Sequence, residues 1–137
     1  MQPIYLDANA TTRPSPEVCD AVDRANRELW GNPSSVHRFG QQVRQRVELA
    51  RRQVAELLGA KPNEIVFTSG GTESNNLALR GVLDRAAGSE PATVITSRVE
   101  HSAVREPAEA AEPRGVRLVW VPVDGDGVVD VAAIAEA

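Results

Sequence analysis

Residues 65–81 read IVFTSGGTESNNLALRG: four residues with strand character, a Ser-Gly-Gly junction, then Thr72-Glu73 opening a run with helical spacing. A tight turn is the plainer account of paired glycines before a helix. The chemical account is an anion cradle. Glycines let backbone N–H groups approach a ligand, the first helical turn adds free donors and a partial positive charge, and the Thr72 hydroxyl can add a further hydrogen bond. This is not a Walker loop: the GxxxxGK[ST] spacing and its lysine are missing, and the chain holds no GxGxxG. A phosphate fits such a cradle better than a nucleotide motif fits the sequence.

Downstream of the 65–68 strand, the pattern predicts a helix from about Thr72 to Ala87, loop composition over 84–92, a strand TVITS at 93–97, a short helix near 102–112 and a strand RLVWVPV at 117–123. Strands alternating with helices imply an α/β fold of βαβαβ units with a mostly parallel sheet. DGDGVVD at 124–130 has a superficial likeness to a calcium loop. It lacks the third acidic position, the glycine register and the closing glutamate, so a turn is expected, with Asp130 capping a last helix.

Upstream, Ser15 as N-cap and Pro16 at the first helical position open a helix over 15–29, with Val18, Ala21, Val22, Ala25 and Leu29 on one face. WGNPSS at 30–35 breaks it. A second helix runs from about Val36 to Leu58, with Phe39, Val43, Val47, Ala50, Val54 and Leu57 at helical spacing and Gly59 ending it. Its other face carries Arg44, Arg46, Glu48, Arg51, Arg52 and Glu56, which read as solvated charge because both signs are interspersed. The chain therefore divides into an N-terminal segment with two amphipathic helices (1–60) and an α/β part (61–137).

A length of 137 residues allows one domain at most. With 42% hydrophobic but only 4% aromatic residues, its core is expected from Val, Leu, Ile and Ala. The net charge of −4 gives no footprint for nucleic acid or an anionic membrane. One cysteine and two histidines exclude an internal disulfide and leave too few ligands for a zinc site. No charged leader with an apolar stretch and no long apolar run occurs, and the expectation is a soluble, cytoplasmic protein.

Ligands of open parallel sheets collect beyond the carboxyl ends of the strands. Ser69–Thr72 follows one strand there, and Glu100-His101 follows the strand ending near Ser97. A lone loop histidine is ordinarily surface, but one at a strand end can lay its flat ring against an aromatic ligand and move protons near neutral pH. If the two strands lie close, both loops face one cavity, and a phosphate cradle beside a planar ring suggests a phosphorylated aromatic cofactor.

YLDANATT (5–12), GNPSSVHRFG (31–40), IVFTSGGTESNNLALRG (65–81) and VEHSAV (99–104), in that order, resemble the NifS/IscS type of cysteine desulfurase, a pyridoxal-phosphate enzyme of fold type I in the class V aminotransferase group. The resemblance runs from Ile4 onward and covers well under half of the family's length, which implies an incomplete large domain over 61–137. It implies that the backbone of Gly71 and the backbone and hydroxyl of Thr72 hold the phosphate of pyridoxal 5′-phosphate. It also implies that His101 stacks on the pyridine ring and assists proton transfer. Gly71 stands where some relatives have alanine, a departure that keeps the backbone donor. The segments around Asn9 and Asn32 resemble those lining the family's substrate entrance.

The family's chemistry needs a lysine to hold the cofactor as a Schiff base and to shuttle the α-proton. The one lysine here, Lys61 in GAKPNE, matches a variable position, and a solvated loop charge is expected. Cys19 falls on the first helix and matches no catalytic position, so the persulfide-forming cysteine is also expected to be missing. His37 is expected to be structural, at the start of the second helix. The implied parent reaction converts L-cysteine to L-alanine and an enzyme persulfide that feeds an acceptor protein, for iron–sulfur cluster assembly or thio-cofactors, with a homodimeric parent. The chain alone is expected to be inactive. The alternatives are a selenocysteine lyase or other class V fragment, and a non-catalytic pseudoenzyme or binding module pairing with a full-length desulfurase.

Overall fold

A computed structural model describes residues 3–86 and 92–137 of the chain, which divides between Val66 and Phe67 into two compact units. Most of the loop expected at 84–92, and Ala87 at the end of the helix before it, lie outside the described residues.

In the first unit, helix α1 (Pro16–Glu28) starts where the sequence places it: the Ser15 hydroxyl accepts from the Val18 amide at 3.4 Å, and Pro16 occupies the first turn. Helix α2 (Arg38–Leu58) begins two residues later than the periodicity suggests. The delay has a local cause. Asn32 accepts from the Ser34 amide at 2.8 Å through its side chain and from the Ser35 amide at 3.1 Å through its carbonyl, holding 32–35 as a turn. His37 then caps α2, its Nδ1 accepting from the Gly40 amide at 3.4 Å, which is the structural role expected of it. Gly59 ends the helix in the left-handed region at φ 65°.

Two expectations fail in this unit. Arg51 is not simply solvated: Nη1 donates to the Ile65 carbonyl at 2.6 Å and Nε reaches Glu48 Oε1 at 3.3 Å, tying α2 to the chain beyond the 3₁₀ turn at Pro62–Glu64. Nor do the apolar stripes form a core. Helix α1 buries no residue, α2 buries only Gly40 and Ala55, and Val18, Val22, Trp30, Val36 and Leu57 stay exposed.

The strand expected at 65–68 does not form. Ile65 is extended (φ −95°, ψ 127°), but a strand exists only as part of a hydrogen-bonded ladder, and the ladder of the described residues joins 93–97 to 117–121 without including 65–68. Among the described residues the sheet therefore holds one βαβ unit rather than two.

That unit is built as expected. Strands β1 (Thr93–Ser97) and β2 (Arg117–Val121) run parallel, with Thr93 opposite Arg117 and Ser97 opposite Val121. Helix α4 (Ser102–Ala111) makes the crossover and packs on both β1 and helix α3 (Gly71–Ala86). The α3–α4 seam follows from spacing. On α3, Asn76 and Leu79 are half-buried and Leu83 is buried; on α4, Ala103, Pro107, Ala108 and Ala111 are buried. Small residues on α4 let the two helices approach closely. The core here is thus dominated by alanine, with Leu83 and Val121, rather than by larger aliphatic residues. The Arg98 guanidinium lies 4.6 Å from the Trp120 ring centroid at the end of the sheet. Residues 124–130 form the expected turn, Asp124 accepting from the Asp126 and Val128 amides at 2.9 Å each. Asp130 caps α5 (Val131–Glu136) by accepting from the Ala132 amide at 2.9 Å.

Candidate cofactor-phosphate site

Helix α3 begins at Gly71, and the Gly70 carbonyl accepts its first helical bond, from the Ser74 amide at 3.1 Å. Gly70 is therefore the N-cap. It has no side chain with which to cap. The hydroxyls around it are committed elsewhere: Thr68 Oγ1 and Ser74 Oγ share a hydrogen bond at 2.6 Å, each lies 3.2 Å from the Gly70 carbonyl oxygen, to which the one not donating to the other can donate, and the Ser69 hydroxyl donates to Glu73 Oε2 at 2.6 Å. Among the described residues nothing accepts from the amides of Gly71 and Thr72. These are two of the orphan donors that every helix start carries.

The glycines are not explained by packing. A Cβ built at Gly70 or Gly71 meets nothing within 4 Å, and neither residue has a positive φ. Gly70, Gly71 and Thr72 are all exposed.

His101 sits beyond the carboxyl end of β1 as the N-cap of α4, its Nδ1 accepting from the Ala103 amide at 3.1 Å. An accepting Nδ1 carries no proton, so the donor of the neutral ring is Nε2. The ring is exposed. Its capping role was not legible in the sequence, because histidine is not among the usual N-cap residues.

The two helix starts are tied together. Asn76 Nδ2 donates to the Thr72 carbonyl at 3.0 Å and to the Ala103 carbonyl at 3.5 Å. Thr72, from the cradle, and Ala103, bonded to His101, thus lie within reach of one side-chain nitrogen. The structure brings Gly71, Thr72 and His101 to the starts of two helices joined through Asn76. Lys61 and Cys19 belong to the other unit: Lys61 is exposed, its backbone amide donating to Glu64 at 2.7 Å, and Cys19 is an exposed thiol on α1.

The sequence did not single out Glu73 and Asn76, whose side chains hold these helix starts. Ser97, the last residue of β1, is 2% exposed, and among the described residues its hydroxyl has no partner, a state that costs about 1–3 kcal/mol. Ser69 and Glu73, four apart across a helix start, were the one available signal.

Free amides in an open cradle at a helix N-terminus suit a phosphate dianion, and an exposed ring tied to the same helix pair suits a flat ligand. A comparison of families gives the same direction: the Aminotransferase class-V family matches residues 4–137. The chain belongs to that family. Among its relatives, cysteine desulfurase IscS of Dictyoglomus turgidum is 47% identical over 127 residues, covering 93% of this chain and 32% of that protein. The mitochondrial cysteine desulfurase of Drosophila melanogaster is 43% identical over 136 residues, 98% of this chain and 29% of its own length. Among solved structures, a NifS-like protein superposes with a TM-score of 0.85 at 38% identity, over 97% of this chain and 36% of that one. SspA in complex with cysteine gives 0.83 at 31% identity, over 97% and 38%. The kinship with cysteine desulfurases read from the four motifs therefore holds. This class-V chain spans about a third of the length of these relatives. No described helix is long and apolar enough to cross a membrane.

Proposed function

We propose that this chain supplies the phosphate-holding and ring-facing part of a pyridoxal-phosphate-dependent cysteine desulfurase, which takes sulfur from L-cysteine as a protein persulfide and leaves L-alanine. The observation that carries this reading is the pair of free amides at Gly71 and Thr72, tied through Asn76 to the helix that His101 caps. It is supported by the identity to named cysteine desulfurases.

In this reading the Gly71 and Thr72 amides and the Thr72 hydroxyl hold the cofactor phosphate against the positive end of α3. The His101 ring lies on the pyridine face. Because Nδ1 is engaged by Ala103, Nε2 is the atom left to hold or move a proton. The cofactor, when bound, supplies an electron sink for bonds broken at the α-carbon of the amino acid. In this reading the Schiff-base lysine and the sulfur-accepting cysteine are not Lys61 or Cys19, both exposed residues of the other unit. The sulfur-acceptor protein, the role in iron–sulfur cluster or thio-cofactor assembly, a homodimeric parent and a cytoplasmic location belong to the same proposal.

The test is a titration of the isotope-labelled chain with pyridoxal 5′-phosphate, followed by its reaction with L-cysteine. Reversible binding that moves the Gly71 and Thr72 amide signals and the His101 ring signals, without borohydride-fixed adduct at Lys61 and without alanine, is expected. Alanine release by the chain alone, or binding that leaves those three residues unmoved, overturns the reading.

A further inference from the structure

Helix α4 carries a proline in its sixth position, and Pro107 has no N–H to give to the carbonyl four residues back, that of Ala103. An interior helix carbonyl without its donor must be satisfied otherwise or bear the cost of desolvation. The donor that reaches it is the side chain of Asn76, from the neighbouring helix, at 3.5 Å. Asn76 is half-buried in the α3–α4 seam and also donates to Thr72 of its own helix at 3.0 Å. Pro107 and Asn76 are thus complementary parts of one device: the first leaves a carbonyl open at the start of α4, and the second fills it from the start of α3.

We propose that Asn76 is a positioning residue that fixes the phosphate cradle of α3 relative to the His101 ring of α4, using the carbonyl that Pro107 leaves open, so that one ligand meets both. The inference rests on the cofactor reading above and adds the residue that sets the spacing between its two halves. Where one side of a helix seam is mostly alanine, as α4 is here, packing alone leaves the two helices some freedom to slide along it. A hydrogen bond across the first turns removes that freedom at the end where the ligand binds.

The consequence separates two ligands. Inorganic phosphate needs only the amides of α3. Pyridoxal 5′-phosphate needs the amides and the ring at a set distance. In the full 137-residue chain, Asn76→Ala is expected to leave the phosphate affinity read from the Gly71 and Thr72 amides unchanged. It should weaken pyridoxal 5′-phosphate roughly three- to ten-fold, the scale of one lost hydrogen bond. The His101 ring signals should then stop responding along with the amides. Pro107→Ala restores the missing N–H within α4, so the double variant Asn76→Ala/Pro107→Ala should regain stability without regaining the coupled response.

If wild-type chain shows no shift of Gly71 and Thr72 with either ligand, the cofactor reading fails, and this inference with it. If wild-type chain responds but Asn76→Ala loses phosphate and pyridoxal 5′-phosphate equally, or loses neither, Asn76 is not a positioning residue while the cofactor reading stands. Should Asn76→Ala fail to fold, the double variant decides between the same outcomes.

Discussion

The carboxylate of Glu73 accepts two hydrogen bonds from Ser69, from its amide at 2.7 Å and from its hydroxyl at 2.6 Å. A glutamate at the third helical position ordinarily reaches back to the N-cap amide. Here it reaches one residue further, past Gly70, and anchors the chain just before the helix. The acidic group at the head of α3 is thereby occupied with Ser69, and the Gly71 and Thr72 amides stay free.

This pairing is pH-dependent with a defined sign. The Ser69 hydroxyl, then its amide, hold the Glu73 carboxyl below its ordinary value of 4.5. A carboxyl whose value is depressed on folding contributes stability that is fully present above the ordinary value and is lost as pH falls through the lower, folded one. The Ser69 amide signal should therefore be constant near neutrality and move only below the ordinary carboxylate value of 4.5, in step with the Glu73 carboxyl carbon. In Glu73→Gln the same amide should no longer titrate. A Ser69 amide in the wild-type chain that ignores acid would show that the bond is not populated in solution.

At Gly71 the backbone and the side chain can be tested apart. Gly71→Ala adds a methyl group in open space at a residue with no positive φ, so it should stabilise α3 by up to about 1 kcal/mol and keep phosphate binding. Gly71→Pro is also compatible with a first helical position, but it deletes the amide N–H. Helix content by circular dichroism should survive in both variants, and phosphate affinity should fall only in the proline one. Equal affinity in the two would remove the Gly71 amide from the cradle.

Much of this fold is legible because its signals are local. Ser15 with Pro16, Gly59 and Asp130 each act through the nearest turn, and each is found where the sequence puts it. The TVITS strand is legible because its partner, β2, lies within the same 137 residues. IVFT has equal strand character, yet forms no ladder among the described residues, since pairing is a property of two segments and propensity a property of one. The same limit governs the core: periodicity marks Val18, Val22 and Leu57 as burial-seeking, but cannot supply the surface that would cover them. At the site, Gly71, Thr72 and His101 stand out by residue type. Asn76 acts between helices 27 residues apart in sequence, a relation that no spacing rule encodes.

His101 caps α4, and under the proposed function its ring also faces the cofactor, so the two duties can be tested apart. Asparagine is a good N-cap but has no aromatic ring, whereas alanine is neither. His101→Ala should cost about 1 kcal/mol in unfolding experiments, and His101→Asn almost nothing. Both should weaken pyridoxal 5′-phosphate to a similar degree while leaving inorganic phosphate alone. If His101→Asn binds pyridoxal 5′-phosphate like the wild-type chain, the ring contributes only its cap.

Among the described glycines, Gly40 is the one where an added Cβ would meet backbone at under 3.0 Å. It is buried in the first turn of α2, and a Cβ there would fall well inside contact distance of the Ser35 carbonyl oxygen and 2.7 Å from both the Asn32 carbonyl oxygen and Ser35 Cβ. Two of those three atoms are backbone, so relief requires moving the turn itself. That turn is held by the Asn32 bonds to Ser34 and Ser35, and the His37 cap on Gly40 depends on it in turn. The overpacking cost of about 1–3 kcal/mol should exceed the gain in helix propensity, which is about 1 kcal/mol at most in a first turn. Gly40→Ala is therefore expected to lower the unfolding midpoint and to speed proteolysis between residues 31 and 40. A raised midpoint would mean that the 31–40 turn yields more easily than its hydrogen bonds imply.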